Sequence, residues 1–387
     1  MEQEKNVIFP DFNNSIVNLA CTFVQFLGQK PQHAILPKLA EKLDSRYQNI
    51  VYLVIDGMGA RILEKNLPVK SFLRQNQIQT VTSVFPSTTT SATTSLISGL
   101  VPAEHGWFSW ALNFNGEVVE LFRNRNFYTK ATLNNPHFVI EKLPYHNLWD
   151  NHNTSREIHT LLPKVSYKYS APYQSEYDSL RQMFSQLHKI CSQPADKFIY
   201  AYYPDFDSTM HHYGTTARPA KKLLRKLEHK IEKLAKRHPK TLFVITADHG
   251  QTDIHGYTYI YQDTEIQECL EHPIAWDSRA TSFKIKPDCH EKFQRAFQKY
   301  QKDYDLYTAE EAIQKGMFGK FQLRPDLRQY LGDYIAVGKD TGNLMVLKDP
   351  GKKHLNRGSH SGMTADEMYV PVIVIQGGKR QKRNNNA

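Results

Sequence analysis

The sequence predicts an α/β fold built on a mostly parallel central sheet covered by helices. Three observations carry that prediction. Several segments are continuous apolar runs of strand length, as strands buried on both faces must be. Amphipathic helical segments lie between them. No internal repeat or low-complexity linker breaks the alternation before the terminal Asn384–Asn386. The 387 residues, 40% of them hydrophobic, are enough to bury one large core.

The predicted strands are Asn49–Ile55 (NIVYLVI), Gln79–Phe85, Lys197–Tyr203 (KFIYAYY), Thr241–Thr246 (TLFVIT) and Tyr369–Ile375 (YVPVIVI). Pro371 points to an edge or early position for the last, because proline cannot donate to a ladder. Helices are predicted over Tyr177–Cys191, Ala217–Arg237 and Leu306–Gly316. The second carries Leu223, Leu224, Leu227, Ile231 and Leu234 at helical spacing, with basic residues opposite. The stretches 113–175 and 251–354 are less regular and read as a cap or insertions within a single catalytic domain spanning 1–387.

Composition narrows the function. The net charge of +10 is partly local, in Lys352-Lys353, in the 217–237 helix and in the basic tail within 377–387. Without a nucleic-acid-binding motif it reads as solvated surface, so nucleic acid is not an expected partner. No stretch reaches the roughly 20 apolar residues that span a bilayer, so no membrane association is expected. Met1–Asn6 is not followed by a long apolar run, and Cys21, Cys191, Cys269 and Cys289 show no paired spacing. Both features predict a soluble cytoplasmic protein with reduced thiols. Any metal site must then draw on carboxylates and imidazoles.

Such groups stand where three predicted strands end. Asn49–Ile55 runs into Asp56-Gly57; Lys197–Tyr203 into Asp205, Asp207 and His211; Thr241–Thr246 into Asp248-His249-Gly250. Ligands of open α/β sheets bind beyond the carboxyl ends of the strands, so these groups converge on one rim. Clustered carboxylates repel one another unless cations lie between them. Oxygen and imidazole donors suit zinc or manganese, and a pair of such ions suits in-line displacement at phosphorus. Asp207 and His211 have the spacing of one helical turn; His212, adjacent, should point elsewhere and is read as structural. Phe85-Pro86-Ser87-Thr88-Thr89-Thr90-Ser91 enters a predicted helix running to Ser98. Free N–H groups at such a start suit a phosphate, and a hydroxyl there could act as nucleophile. Composition leaves Ser87, Thr88, Thr89 and Thr90 open for that role.

The segments VYLVIDGMG, FPSTTTSATTSLISGLVPAEHG, YPDFDSTMHHYG, ITADHG and GSHSGMTADEMYVPVIV occur in this order from Val51 to Val374. Together they resemble the type I phosphodiesterase/nucleotide pyrophosphatase branch of the alkaline phosphatase superfamily. The resemblance implies an alkaline-phosphatase-like α/β/α sandwich. It selects Thr89 as the nucleophile, forming a phosphothreonine-type intermediate. It further implies two divalent ions, zinc or manganese, one held by Asp56, Thr89, Asp248 and His249. The other would be held by Asp207, His211 and His360; His105 becomes a structural residue near the site. The expected reaction is cleavage of a phosphodiester or pyrophosphate bond in a small molecule. Phosphomonoester or phosphonate hydrolysis is the enzymatic alternative, and a metal-binding protein contacting nucleic acid through its tail the non-enzymatic one. The Cys/Ser-x-Pro-x-Arg motif of sulfatases is missing, and the phosphoglycerate mutase relatives use serine. One position departs from the nucleotide pyrophosphatases: Trp110 stands where they carry a phosphoryl-contacting asparagine, and Asn113 is the nearest asparagine. Trp110, Asn113 and Arg279 are the candidate substrate contacts.

Overall fold

The computed structural model describes residues 7–164, 171–320, 322–346 and 355–378. Lys352, Lys353 and the basic tail from Lys379 lie outside the described residues. The central sheet contains β1 (Asn49–Ile55), β2 (Gln77–Thr82), β6 (Glu157–Pro163), β7 (Tyr173–Tyr177), β8 (Lys197–Tyr203), β9 (Thr241–Thr246) and β18 (Tyr369–Gln376). Their order is β2-β18-β9-β1-β8-β6-β7. All the pairings are parallel except the two made by β18, which runs against β9 and β2. This is the predicted fold class.

Register explains why the site forms where it does. Ile55 of β1 lies opposite Tyr203 of β8, and Val54 lies opposite Thr246 of β9. Three neighbouring strands therefore stop at one level, and the Asp56 N–H still donates to the Tyr203 carbonyl at 3.0 Å. Every residue of β1, β8 and β9 is buried, as their unbroken apolar sequences require. Phe23 from the helix Ile16–Phe26 packs on Tyr52 of β1, with ring centroids 4.4 Å apart. The Tyr52 hydroxyl reaches the Leu96 carbonyl in the helix Thr89–Ser98. The helix Arg218–Arg237 buries Ala220, Leu224, Leu227, Ile231 and Leu234 and turns its lysines outward.

Several boundaries differ from expectation for physical reasons. The strand predicted over 79–85 ends at Thr82. There Ser83 donates its N–H to Met368 O and its hydroxyl to Asp248 O, both at 2.6 Å, and leads the chain towards the site. Pro371 is not on an edge strand; it precedes the ladder with β9, which starts at Ile373, so no bond to β9 is lost. The helix predicted over 177–191 begins at Leu180, after Ser179, whose hydroxyl accepts from Gln182 N. The predicted helix 306–316 overlaps the end of the strand Tyr304–Thr308, and only Ala309–Gln314 is helical. Pairing with Tyr334–Gly338 holds the strand, and the Thr308–Glu311 capping box starts the helix. Glu157–Pro163 and Tyr173–Tyr177 lie in a stretch read as cap or insertion, yet they extend the main sheet.

Two smaller sheets flank the carboxyl ends of the strands. One is the meander β3 (Ala111–Phe114), β4 (Glu117–Glu120) and β5 (Arg125–Asn126). Another unites β12 (Ala275–Trp276), β13 (Ala280–Phe283), β15 (Tyr334–Gly338) and β14 (Tyr304–Thr308). Part of that sheet packs on a second apolar core that includes Phe283, Phe293, Phe297 and Ala336. Short two-strand contacts complete the region: β10 (Thr252–Asp253) with β17 (Gly358–Ser359), and β11 (Gly256–Thr258) with β16 (Gly342–Leu344).

Candidate active site

The three strand ends deliver their side chains to one place. Asp56 follows β1, and one of its carboxylate oxygens accepts from the Tyr202 hydroxyl. Asp248 and His249 follow β9 by one residue. Asp248 Oδ1 accepts from the N–H groups of Gly57 (3.1 Å) and His249 (2.9 Å), which locks the β1 and β9 turns together. His249 Nε2 lies 3.5 Å from Asp56 Oδ1, 3.4 Å from Asp248 Oδ2 and 3.3 Å from Thr89 Oγ1. Thr89 is the first residue of its helix, so the helix N-terminus opens beside the cluster.

Asp207 and His211 sit one turn apart on the helix Asp205–Tyr213, with Asp207 Oδ2 3.2 Å from His211 Nε2. His360 arrives from the other direction, just after β17, and its Nε2 lies 3.8 Å from Asp207 Oδ1. The His360 ring stacks on His249 with centroids 3.8 Å apart. Two groups of ligand-type atoms result: Asp56, Asp248 and His249 in one, Asp207, His249 and His360 in the other. His249 stands between them, and His211 joins the second group through Asp207. All seven residues expected in the metal and nucleophile sites are thus brought together.

Protonation makes the arrangement chemically specific. His249 Nδ1 lies 2.9 Å from Gly250 O, His211 Nδ1 2.7 Å from Gly358 O, and His360 Nδ1 3.0 Å from Ser87 O. A carbonyl only accepts, so Nδ1 is the donor to it in each ring, and each ring turns its Nε2 towards carboxylates. Asp56 Oδ1 and Asp248 Oδ2 are buried and have no hydrogen-bond partner among the described residues. Burial, with Asp248 and Asp207 nearby, pushes the Asp56 carboxyl well above its ordinary range. Burial also drives the His360 imidazole well below its own, helped by His249. Against the effect of burial, His211 and then His360 hold Asp207 below the usual carboxylate range. Lone pairs that face one another across short gaps, in a buried place, fit divalent cations. The donor set passes that test for both groups.

Glycine geometry sets the turn after His249. A Cβ on Gly250 would stand 2.0 Å from Asp366 O, inside the backbone that accompanies the Gly250 N–H to Glu367 O bond. Gly250→Ala is expected to cost about 1–3 kcal/mol, as for overpacked positions generally. Denaturant unfolding would test this, and an unchanged midpoint would contradict the packing.

A cavity of about 780 Å³ opens over these groups, lined by Thr88, Thr89, Asp207, His211 and His360 on the inner side. Trp110 lines it too, with the Arg123 guanidinium 5.2 Å over its ring. The other two candidate contacts do not. Asn113 belongs to the β3–β4 hairpin, where its Oδ1 accepts from Gly116 N at 2.6 Å and its amide meets Pro273 O. Arg279 is fully buried and forks onto Glu367 at 2.7 and 2.9 Å; no substrate reaches it. His212, read as pointing elsewhere, borders the cavity. His105 is buried and structural, as expected. Its Nδ1 accepts from Trp107 N, its Nε2 faces Ser95 Oγ, and burial lowers its pKa to about 3.

Sequence reasoning missed three residues. Gln251 donates to Asp207, and Tyr202 steadies Asp56. Asp277 lines the cavity and accepts from Ser109 Oγ (2.7 Å) and Trp110 N (3.2 Å). It follows Trp276, whose φ of +75° is rare for a bulky residue.

A mostly parallel α/β sheet with a threonine at a helix start, beside two carboxylate–imidazole groups, defines a hydrolytic enzyme of the alkaline-phosphatase-like fold. Residues 50–366 match the model of the type I phosphodiesterase / nucleotide pyrophosphatase family. The chain belongs to that family. Its structure is similar to murine ectonucleotide pyrophosphatase / phosphodiesterase 5 (TM-score 0.64, 16% identity, 84% of this chain and 87% of that one). An inactive form of the murine protein in complex with AMP gives TM-score 0.64 at 15% identity, over 86% and 89% of the two chains. Phosphonoacetate hydrolase from Sinorhizobium meliloti 1021, in complex with phosphonoformate, gives 0.59 at 16% identity, over 88% and 92%. Among curated protein sequences nothing matches.

Proposed function

We propose that this enzyme cleaves a phosphodiester or pyrophosphate bond of a small molecule, with Thr89 as the nucleophile. The observation that carries the reading is the set of three imidazoles fixed on carbonyls, each turning Nε2 towards buried carboxylates. Asp56, Thr89, Asp248 and His249 would hold one divalent ion, and Asp207, His211 and His360 the other. Bound there, zinc or manganese would neutralise the carboxylates and act as Lewis acid towards phosphoryl oxygens. The protein's own groups do the rest. The helix start at Thr89 offers N–H groups to the phosphate. Thr89 Oγ1 gives up its proton and bonds to phosphorus as the ester or anhydride oxygen leaves and takes up a proton; water then cleaves the phosphothreonine, freeing the phosphoryl product and restoring the Thr89 hydroxyl. Asp277, already accepting two hydrogen bonds, fixes the Trp110 wall against which the rest of the substrate lies.

Two measurements test this. The purified protein should contain two equivalents of zinc or manganese, and exhaustive chelation should abolish hydrolysis until one of those metals is restored. Full activity after chelation would end the proposal. Hydrolysis of bis-p-nitrophenyl phosphate and of a nucleotide diester should exceed that of p-nitrophenyl phosphate. The reverse order would instead mark a phosphomonoesterase, and activity on phosphonates alone a phosphonate hydrolase. The four free thiols support a reducing, cytoplasmic setting.

A further inference from the structure

The cavity changes character from its inner end to its mouth. The inner end holds Thr89 and Asp207, both less than a tenth exposed. The mouth holds Arg123 and Lys130, whose side chains are 54% and 39% exposed. The lining also carries the apolar side chains of Trp110, Phe127, Trp276, Leu344 and Met345, alongside the polar Asp277, Ser278 and Asn343. The two cations are set in place. Arg123 lies over the Trp110 ring, and Lys130 Nζ stands 4.5 Å from the centroid of Phe127.

Behind them sits Glu120, whose side chain is 2% exposed. It meets Lys130 at 2.8 Å, Arg125 at 2.8 Å and Arg123 at 3.4 Å. One carboxylate cannot balance the three cations it meets, and an excess of positive charge remains even with the cavity-lining Asp277 counted. Among the described residues Arg123 hydrogen-bonds Glu120 alone, through one N–H. A guanidinium laid on an indole keeps its in-plane donors available for a planar or tetrahedral anion.

We infer that Arg123 and Lys130 form a second anion subsite, so that the substrate carries a carboxylate or further phosphate across an apolar body from the bond cleaved. This rests on the function proposed above and names its substrate class. It fits the excess charge, and it gives the aromatic wall a flat or apolar group to cover. Trp110 then separates two anion sites rather than replacing a phosphoryl contact.

The test compares bis-p-nitrophenyl phosphate with p-carboxyphenyl p-nitrophenyl phosphate and its p-phosphonophenyl counterpart, reading p-nitrophenolate release in the metal-loaded enzyme. The anionic diesters should show the lower KM, and that preference should weaken as salt is raised. Arg123→Gln with Lys130→Gln should reduce the preference about tenfold, the equivalent of one lost charge-assisted contact. Arg125→Gln is the control, because Arg125 shares Glu120 but does not line the cavity; it should leave the preference within about twofold. A larger effect on the carboxylate arm or on the phosphonate arm identifies which anion the subsite takes. Equal KM values for all three diesters, or an equal loss in the Arg125 variant, would overturn the inference. Absence of hydrolysis of every diester by the unaltered enzyme would instead overturn the function on which it rests.

Discussion

Thr89→Ala is expected to lower hydrolysis by roughly three to six orders of magnitude, as removal of a covalent nucleophile does in other hydrolases. The position isolates the chemistry well. Thr89 is the first residue of its helix, and its side chain meets His249 Nε2 at 3.3 Å. Alanine is a better helix former than threonine, so the variant should melt at or slightly above the temperature of the unaltered protein. A fall in activity with no fall in stability is therefore the diagnostic pair. Thr89→Ser keeps a hydroxyl at the same place and should retain a measurable share of the rate. Acid quenching during turnover should trap one phosphoryl group on the peptide containing Thr89, detectable by mass spectrometry. Alanine activity equal to that of the unaltered enzyme would move the nucleophile elsewhere, and Thr88, the neighbouring hydroxyl on the cavity wall, is then the next residue to test.

How far the site could be read from sequence depended on the local signal attached to each residue. Asp56, Asp248 and His249 come directly after apolar runs, so the end of a buried strand marked them. Asp207 and His211 needed one helical turn more, and their spacing supplied it. His360 follows a two-residue strand whose partner is Thr252–Asp253. Nothing in Gly358-Ser359-His360 states that pairing, so only family resemblance placed it. Asp277 was hidden for a related reason: it follows another two-residue strand, at a backbone angle that no periodicity reports. The far edge of the main sheet was missed because Glu157–Pro163 and Tyr173–Tyr177 mix charged and apolar residues. Their strand character comes from neighbours, through the ladders from β8 to β6 and from β6 to β7. Arg279 shows the limit most clearly. Its charge suggested an anionic substrate, while its actual partner lies 88 positions away.

Arg279→Ala should then reduce stability rather than selectivity, by about 3–5 kcal/mol, the usual consequence of leaving a buried charge without its partner. Arg279 and Glu367 are both fully buried. Glu367 also accepts from Gly362 N at 2.8 Å, Thr364 N at 3.1 Å and Thr364 Oγ1 at 2.7 Å. The pair thus ties the entry to β13 to the turn following His360, and the variant should lose metal affinity along with stability. Arg279→Lys should fall between the two, because an ammonium cannot reproduce the fork. Acid supplies the sharper test. Burial alone would raise the Glu367 carboxyl, but Arg279 outweighs it and holds the group below its ordinary value of 4.5. That contribution is complete above the unfolded value and disappears as pH falls through the lowered folded value. Without Arg279 the buried carboxyl moves the other way: its penalty is greatest at neutral pH and fades as the group protonates. The stability gap between the two proteins should therefore narrow on acidification. Denaturant unfolding at a series of pH values measures it, and a gap that widens towards acid would show that Arg279 acts through packing and not through its charge.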